Sequence, residues 1–356
     1  MPSFDSSTRK SRLLSEQFLL LDEGERRDVY IAAAAGIGLP PEVLEKDVWI
    51  CWTLDVLFAD PNALPMAFKG GTSLSKVFGV IERFSEDIDV TVGLSSARLG
   101  PNDDLPESRN ARDELRNTLA AELAGHIATV VTPALTRALS GIRDAGDRAV
   151  TSVSEDTLVL DYPSCFTKRG GYLHERVKIE FGARNAIEPN DRHTLVPYLV
   201  DAIGAEGIVL PSAEVDVLSP TRTFWEKATL AHDECNRADW SRGAERISRD
   251  WYDLAVLADH PIGVEALSDR ELLQDVVRIK DAFYGRSTSA YGACLTGGLR
   301  LLPGDEGRAV LNVDYDAMIE AGMFSGVPPT FGWILDRLTR LERDINVRPL
   351  SGPQHP

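Results

Sequence analysis

The chain has 356 residues, 38 Lys and Arg against 55 Asp and Glu, a formal net charge of −17 and 43% apolar residues. Such a length exceeds the usual single domain, and the apolar content supports packed cores, which excludes a disordered chain. The acidity excludes a protein that coats nucleic acid non-specifically, because phosphate contacts need clustered Lys and Arg, but it leaves room for one local basic groove.

The first residues, Met1 to Asp5, are polar, and no apolar signal region with a cleavage site follows. No apolar run reaches the roughly 20 residues that span a bilayer, so the expectation is a cytoplasmic protein without membrane contact. Residues 12–60 read as helical: Leu13, Leu14, Phe18, Leu19 and Leu21 form an apolar stripe, and Pro40-Pro41 opens a second helix over Glu42–Phe58. Residues 66–92 read as strand, glycine turn, helix and strand, with Met66–Phe68, Ser73–Ile81 and Ile88–Val92 as the regular elements. A Ser-, Pro-, Asn- and Asp-rich loop over 95–110 precedes a long helix, Ala111–Leu139, which Pro133 should kink or break. Strands are expected at Thr157–Tyr162, Val177–Phe181 and Glu214–Leu218, with a helix at Val196–Ala202.

From Ser219-Pro220, an N-cap followed by Pro at the first helical position, the helical period dominates. Helices fit Thr221–Asn236, Arg246–Ala258, Asp269–Ala282 and Phe331–Asn346. The pattern predicts an α+β chain: a mixed domain over 1–215 with a small mixed sheet, then a helical domain over 216–356. Cys51, Cys165, Cys235 and Cys294 form no CxxC pair, so they read as small core residues in a reducing compartment.

The chemistry concentrates in Lys69-Gly70-Gly71-Thr72-Ser73-Leu74-Ser75-Lys76 and Arg83-Phe84-Ser85-Glu86-Asp87-Ile88-Asp89. Two glycines between a strand and a helix let the backbone approach a ligand, and the free N–H groups of the helix start suit a phosphate; a bare structural turn accounts for them equally. On a strand, Asp87 and Asp89 share a face while Ile88 and Val90 take the other. Two close carboxylates repel unless a cation lies between them, and magnesium with triphosphate oxygens completing its shell suits that role. Along Arg176–Phe181 the apolar Val177, Ile179 and Phe181 alternate with Lys178 and Glu180. Glu180 is thereby placed to ligate metal or accept a proton, or to belong to a surface Lys–Glu pattern. Added charge on Ser85 would crowd the carboxylates.

This order resembles the polymerase-beta-like nucleotidyltransferases and looks most like the AbiEii/AbiGii toxin family of type IV toxin–antitoxin and abortive-infection systems. Glu45-Lys46-Asp47-Val48-Trp49, Pro220–Lys227, Arg249-Asp250-Trp251-Tyr252-Asp253-Leu254, Asp314–Met318 and Ile345-Asn346 extend the likeness over about 25–346. The resemblance implies a phosphate-binding turn at Gly70, Gly71, Thr72 and Ser73, metal ligands at Asp87 and Asp89, and a triphosphate contact from Lys227. It also implies a place for Asp253 at the cleft. Lys69, Lys76, Arg83, Ser85, Lys178 and Asp250 complete the expected nucleotide site, although at Asp250 the family often has another polar residue. Arg246–Asp250 and Arg249–Asp253 are also plain i, i+4 pairs, and Lys227 could pair with an acidic neighbour on its own helix.

The implied activity is transfer of a nucleoside monophosphate from an NTP, with magnesium or manganese, to an acceptor such as the tRNA 3′ end or another RNA. The implied partner is an antitoxin encoded alongside. Arg278, Lys280, Tyr284, Arg286, Tyr291 and Arg300 supply cations and aromatics for an RNA end, or ordinary surface charge and core tyrosines. An antibiotic-modifying nucleotidyltransferase and a non-catalytic nucleotide-binding module are the rival readings.

Overall fold

The computed structural model describes residues 17–347 apart from 98, 101–102, 167–173, 204–207, 238, 241–245 and 287. Leu13 and Leu14 of the expected first stripe lie outside the described residues.

Helix α1 (Glu23–Ile37) starts at a reciprocal cap between Asp22 and Glu25 and stops at Gly38, whose φ is 79°. Helix α2 (Pro41–Phe58) is buried along most of its length and packs across one face of the sheet. It nevertheless carries three consecutive charges, and each finds a partner in another element, as buried charge requires. Glu45 accepts hydrogen bonds from the Ser164 hydroxyl and the Cys165 N–H, both at 2.6 Å. Lys46 pairs with Glu86 at 2.5 Å. Asp47 pairs with Lys76 and accepts the Tyr198 N–H at 2.7 Å.

Strand β1 (Met66–Lys69) runs directly into the short helix α3 (Gly70–Lys76). The expected glycine turn is thus the first turn of the helix itself, with Gly70 at φ 80°, and the helix ends at Lys76 rather than Ile81. Strand β2 (Asp87–Val92) follows, then one long helix in three parts: α4 (Arg109–His126), a π-helical turn (Ile127–Val131) and α5 (Thr132–Leu139). The break expected at Pro133 takes the form of that wide turn just before it. By length and composition this helix, alone among the described residues, could cross a membrane, so the expectation that no segment qualifies does not hold. Here its Leu119, Leu123, Ile127, Val131, Leu135 and Leu139 stripe packs into the core.

Strands β3 (Val150–Ser154), β4 (Thr157–Asp161), β5 (Arg176–Gly182), β6 (Asn190–Leu195) and β7 (Ala213–Leu218) complete a seven-stranded sheet, with a helical turn α6 (Val200–Ile203) between the last two. The strand order is β3-β4-β5-β2-β1-β7-β6, parallel at β5–β2 and β1–β7 and antiparallel elsewhere, so the sheet is mixed. The order seats β2 centrally, between β5 and β1. Register sets Glu180 beside Asp89, and Asp89 beside Lys69, in one row across three strands. Ile88, Val90, Val177 and Ile179 are fully buried on the other face. Residue 215 lies inside β7, and the sheet ends at Leu218.

The rest is helical: α7 (Pro220–Cys235), α8 (Ser248–Asp259), α9 (Pro261–Ser268), α10 (Arg270–Tyr284), a 3-10 turn (Tyr291–Leu295), α11 (Asp305–Glu320) and α12 (Phe331–Asn346). Asp314 on α11 caps the start of α8, accepting the Arg246 N–H at 2.6 Å and the Ser248 N–H at 2.8 Å. Next to it, Tyr315 stacks on Tyr252 of α8 at a ring distance of 6.4 Å. These two contacts account for the Asp314-Tyr315 motif. The buried apolar residues of sheet and helices form one continuous core, and all four cysteines are free and buried.

Candidate active site

A cleft of about 230 Å³ lies where α3 and the charged row of the sheet meet α7, α8 and α10. Its walls include Lys69, Gly70, Gly71, Arg83, Ser85, Asp89, Lys227 and Asp250 from the expected site, joined by Thr223, Glu226, Leu230, Arg249 and Lys280. Thr223, Glu226, Lys227 and Leu230 are spaced as one face of a helix, so α7 presents a whole stripe to the cleft.

Gly70 must be glycine on two counts. Its φ of 80° disfavours a side chain, and a Cβ there would collide with the Asp89 carboxylate. At Gly71 a Cβ would meet the Arg83 guanidinium and, at 2.9 Å, the Ser85 hydroxyl. The paired glycines therefore let carboxylate, guanidinium and hydroxyl all approach the backbone. Gly70→Ala should lower stability by about 1–3 kcal/mol and nucleotide transfer at least tenfold, roughly, by displacing Asp89. Gly79→Ala is the control, because Gly79 has φ 58° but nothing within 4 Å. Equal losses in the two variants, measured by denaturation and transfer assay, would rule out a role for the Asp89 approach.

Thr72 and Ser73 turn inward: the Thr72 hydroxyl donates to the Asp87 carbonyl at 2.5 Å, and the Ser73 hydroxyl to the Gly70 carbonyl at 2.9 Å. The Thr72 bond fastens α3 to β2, the Ser73 bond stays within the first turn of α3, and neither side chain lines the cleft. Lys76 is also outside it, held by Asp47 with its ammonium 4.0 Å from the Tyr198 ring centre. Lys178 pairs with Glu180 at 2.6 Å, and both side chains are about two-fifths exposed.

The carboxylates divide into two kinds. Asp89 has its pKa pushed up to about 6, first by burial and then by Glu180, with Asp87 adding to the rise against Arg249 and Lys69. Asp253, fully buried, goes the other way and is held at about 2: burial opposes its charge, but Arg83 and Lys227 outweigh burial. Arg83 grips Asp253 through two parallel bonds of 2.7 Å, and Lys227 reaches the same carboxylate at 2.9 Å and Asp250 at 2.5 Å. The i, i+4 pairings Arg246–Asp250 and Arg249–Asp253 are not the ones used. Arg249 goes instead to Asp87 at 3.1 Å, and Arg246 to Glu86.

Asp87 and Asp89 fit a hard divalent cation in donor chemistry, and the repulsion that raises Asp89 is what such a cation would relieve. Among the described residues no group of three or more His, Cys, Asp or Glu side chains converges into a cage. The remaining ligands would be water and phosphate oxygens, the arrangement magnesium favours. Glu180 stands beside Asp89 in register but is engaged by Lys178.

Three charged residues of this cleft were outside the expected site. Arg249 read as an intrahelical partner of Asp253, Glu226 is legible only as the neighbour of Lys227, and Lys280 was one of six C-terminal candidates for RNA contact. Of those six, Lys280 alone lines the cleft. Arg278 holds Asp275 at 2.7 Å, Arg286 pairs with Asp233, Arg300 donates to Asn236 at 3.0 Å, and Tyr291 is buried.

A mixed sheet whose central strand offers paired aspartates to a glycine-opened helix, under a roof of lysine and arginine, is the layout of a nucleotidyltransferase. Residues 53–337 match the family model described as nucleotidyl transferase AbiEii toxin, type IV TA system. The chain belongs to that family: it is a toxin-type nucleotidyltransferase, which implies an NTP substrate and a cognate antitoxin. Among solved structures it is similar to MenT4, a nucleotidyltransferase toxin from Mycobacterium tuberculosis H37Rv, at 17% identity and a TM-score of 0.43, over 93% of this chain and 100% of that one. The search of curated proteins finds no match.

Proposed function

We propose that this toxin is magnesium-dependent and transfers a nucleoside monophosphate from an NTP to the 3′-terminal hydroxyl of a tRNA, releasing pyrophosphate and arresting growth. In this reading the reaction is cytoplasmic, residues 1–215 form the catalytic domain, and 216–356 complete the cleft for NTP and acceptor, with β7 as the seam.

The observation that carries the reading is the packing of the Asp89 carboxylate against Gly70 in a cleft that Lys227 also lines. The acceptor oxygen attacks the α-phosphorus in line, a new P–O bond forms, and the bond to the pyrophosphate oxygen breaks. Asp87 and Asp89 would hold the magnesium ion, which would supply neutralisation of the charge on the transferring and leaving phosphates. Lys227 and Arg83, oriented by Asp253, hold the triphosphate tail beside Gly70 and Gly71, so much of the rate gain comes from positioning. Asp253 is a positioning residue and not the base, because both its oxygens are engaged and its pKa is about 2. Glu180, part-exposed beside Asp89, takes the acceptor proton.

The test is to incubate the full chain with each labelled NTP, magnesium and total RNA. Label on the tRNA 3′ end, abolished by chelation, is the expected result. Label confined to small molecules, or NTP binding without turnover, would sink it.

A further inference from the structure

The cations of the cleft fall into two groups. On the Asp253 side, Arg83 and Lys227 are neutralised by Asp253 and Asp250, and Arg249 is neutralised by Asp87. On the other side, Lys69 pairs with Glu226 at 3.1 Å and also faces Asp89. Glu226 is held in turn by Arg222 at 3.6 Å. Lys280, the fifth cation, enters from α10 with its ammonium 4.8 Å from the Tyr284 ring centre; the same ring carries the Arg184 guanidinium at 5.1 Å. Among the described residues no carboxylate lies within ion-pair distance of Lys280.

A lysine in that position is costly to keep charged. Burial lowers its pKa, Glu226 works against that, and Lys69 lowers it further. An anion arriving between Lys280 and Lys69 would remove both penalties, and the cation–π contact holds the Lys280 stem ready without neutralising it. The part of the molecule that would supply its missing counter-charge is therefore the substrate.

We infer that Lys280, together with Lys69, binds a substrate phosphate on the Asp89 side of the cleft, separate from the phosphates held at Gly71 and Lys227. The inference rests on the proposed nucleotide transfer. The phosphate belongs either to the NTP or to the acceptor strand, and the chemistry of recognition is the same for both.

The experiment compares wild type, Lys280→Gln and Lys280→Arg as full chains. It measures binding of each of the four NTPs by titration calorimetry, and KM and kcat for transfer onto total RNA. Lys280→Gln should weaken one substrate by about tenfold to a hundredfold while moving kcat less, and Lys280→Arg should restore most of it. Weaker NTP binding assigns the phosphate to the nucleotide. A raised KM for RNA with NTP binding intact assigns it to the acceptor. Because Lys280 has no ion pair to lose, Lys280→Gln should melt no lower than wild type. Unchanged NTP binding and RNA KM in Lys280→Gln would overturn the inference, as would a fall in kcat alone accompanied by a lower melting temperature. Wild type that neither binds nor transfers any NTP would instead refute the proposed function.

Discussion

Asp89→Asn should reduce nucleotide transfer by at least about a thousandfold, the loss expected when a ligand to a charge-neutralising cation is removed. It should do so without unfolding the protein, since Asn keeps the shape packed against Gly70. The same change should raise the melting temperature of the metal-free protein at pH 8. The folded Asp89 titrates at about 6 against an ordinary 3.8, so folding favours its protonated form. The stability tied to that proton is present in full below pH 3.8 and is lost as pH rises through about 6. Asn never carries the charge, so the variant should gain over wild type at pH 8 and not at pH 4. Magnesium should stabilise wild type at pH 8 and leave Asp89→Asn unmoved. Calorimetry at the two pH values, with and without magnesium, measures all of this. A variant that melts below wild type at pH 8 would mean that Asp89 is a structural acid and not a crowded ligand.

The second large effect belongs to Asp253. Asp253→Asn leaves Arg83 and Lys227 buried beside a neutral amide, and removing one partner from a buried ion pair costs about 3–5 kcal/mol. Transfer should fall with it, because the two cations lose the carboxylate that orients them. A second substitution separates the two losses. Arg83→Met in the Asp253→Asn background removes the stranded guanidinium and should recover a good part of the stability, but none of the activity. The wild-type pairing also has a pH signature. With Asp253 depressed from 3.8 to about 2, its contribution is present above pH 3.8 and is lost as pH falls through about 2. Denaturant titrations of the single and double variants decide the matter. If the single variant is as stable as wild type, Asp253 does not hold this network.

Much of the site could be read from local pattern. Strand alternation put Asp87 and Asp89 on one face and Glu180 on the equivalent face of its own strand, and the register bears that alternation out. The long helices of the second half followed from their period. Two strands that escaped detection share a physical cause. Strands β3 and β6 lie at the two edges of the sheet, and their sequences, Val-Thr-Ser-Val-Ser and Asn-Asp-Arg-His-Thr-Leu, are mostly polar and exposed. Edge strands face solvent on several sides, so the alternation that reveals a half-buried strand fades there. Helix α11 was hidden by Gly307, a poor helix former kept because a Cβ would strike the Trp240 ring.

What the sequence determined by itself was the set of faces: which acids share a side of a strand, which glycines sit beside them, and which helix carries Lys227. Periodicity settles these over a few residues. Only the tertiary structure decided which charges meet. Arg83 and Asp253 are 170 residues apart, Arg249 reaches Asp87 across 162, and Lys69 reaches Glu226 across 157. Lys76, next to the glycines in sequence, was drawn away to Asp47 on α2, and Lys280, far from every motif, was brought in. A buried charge takes the partner that packing delivers to it. That partner depends on how α7, α8 and α10 settle over the sheet, which no local spacing encodes.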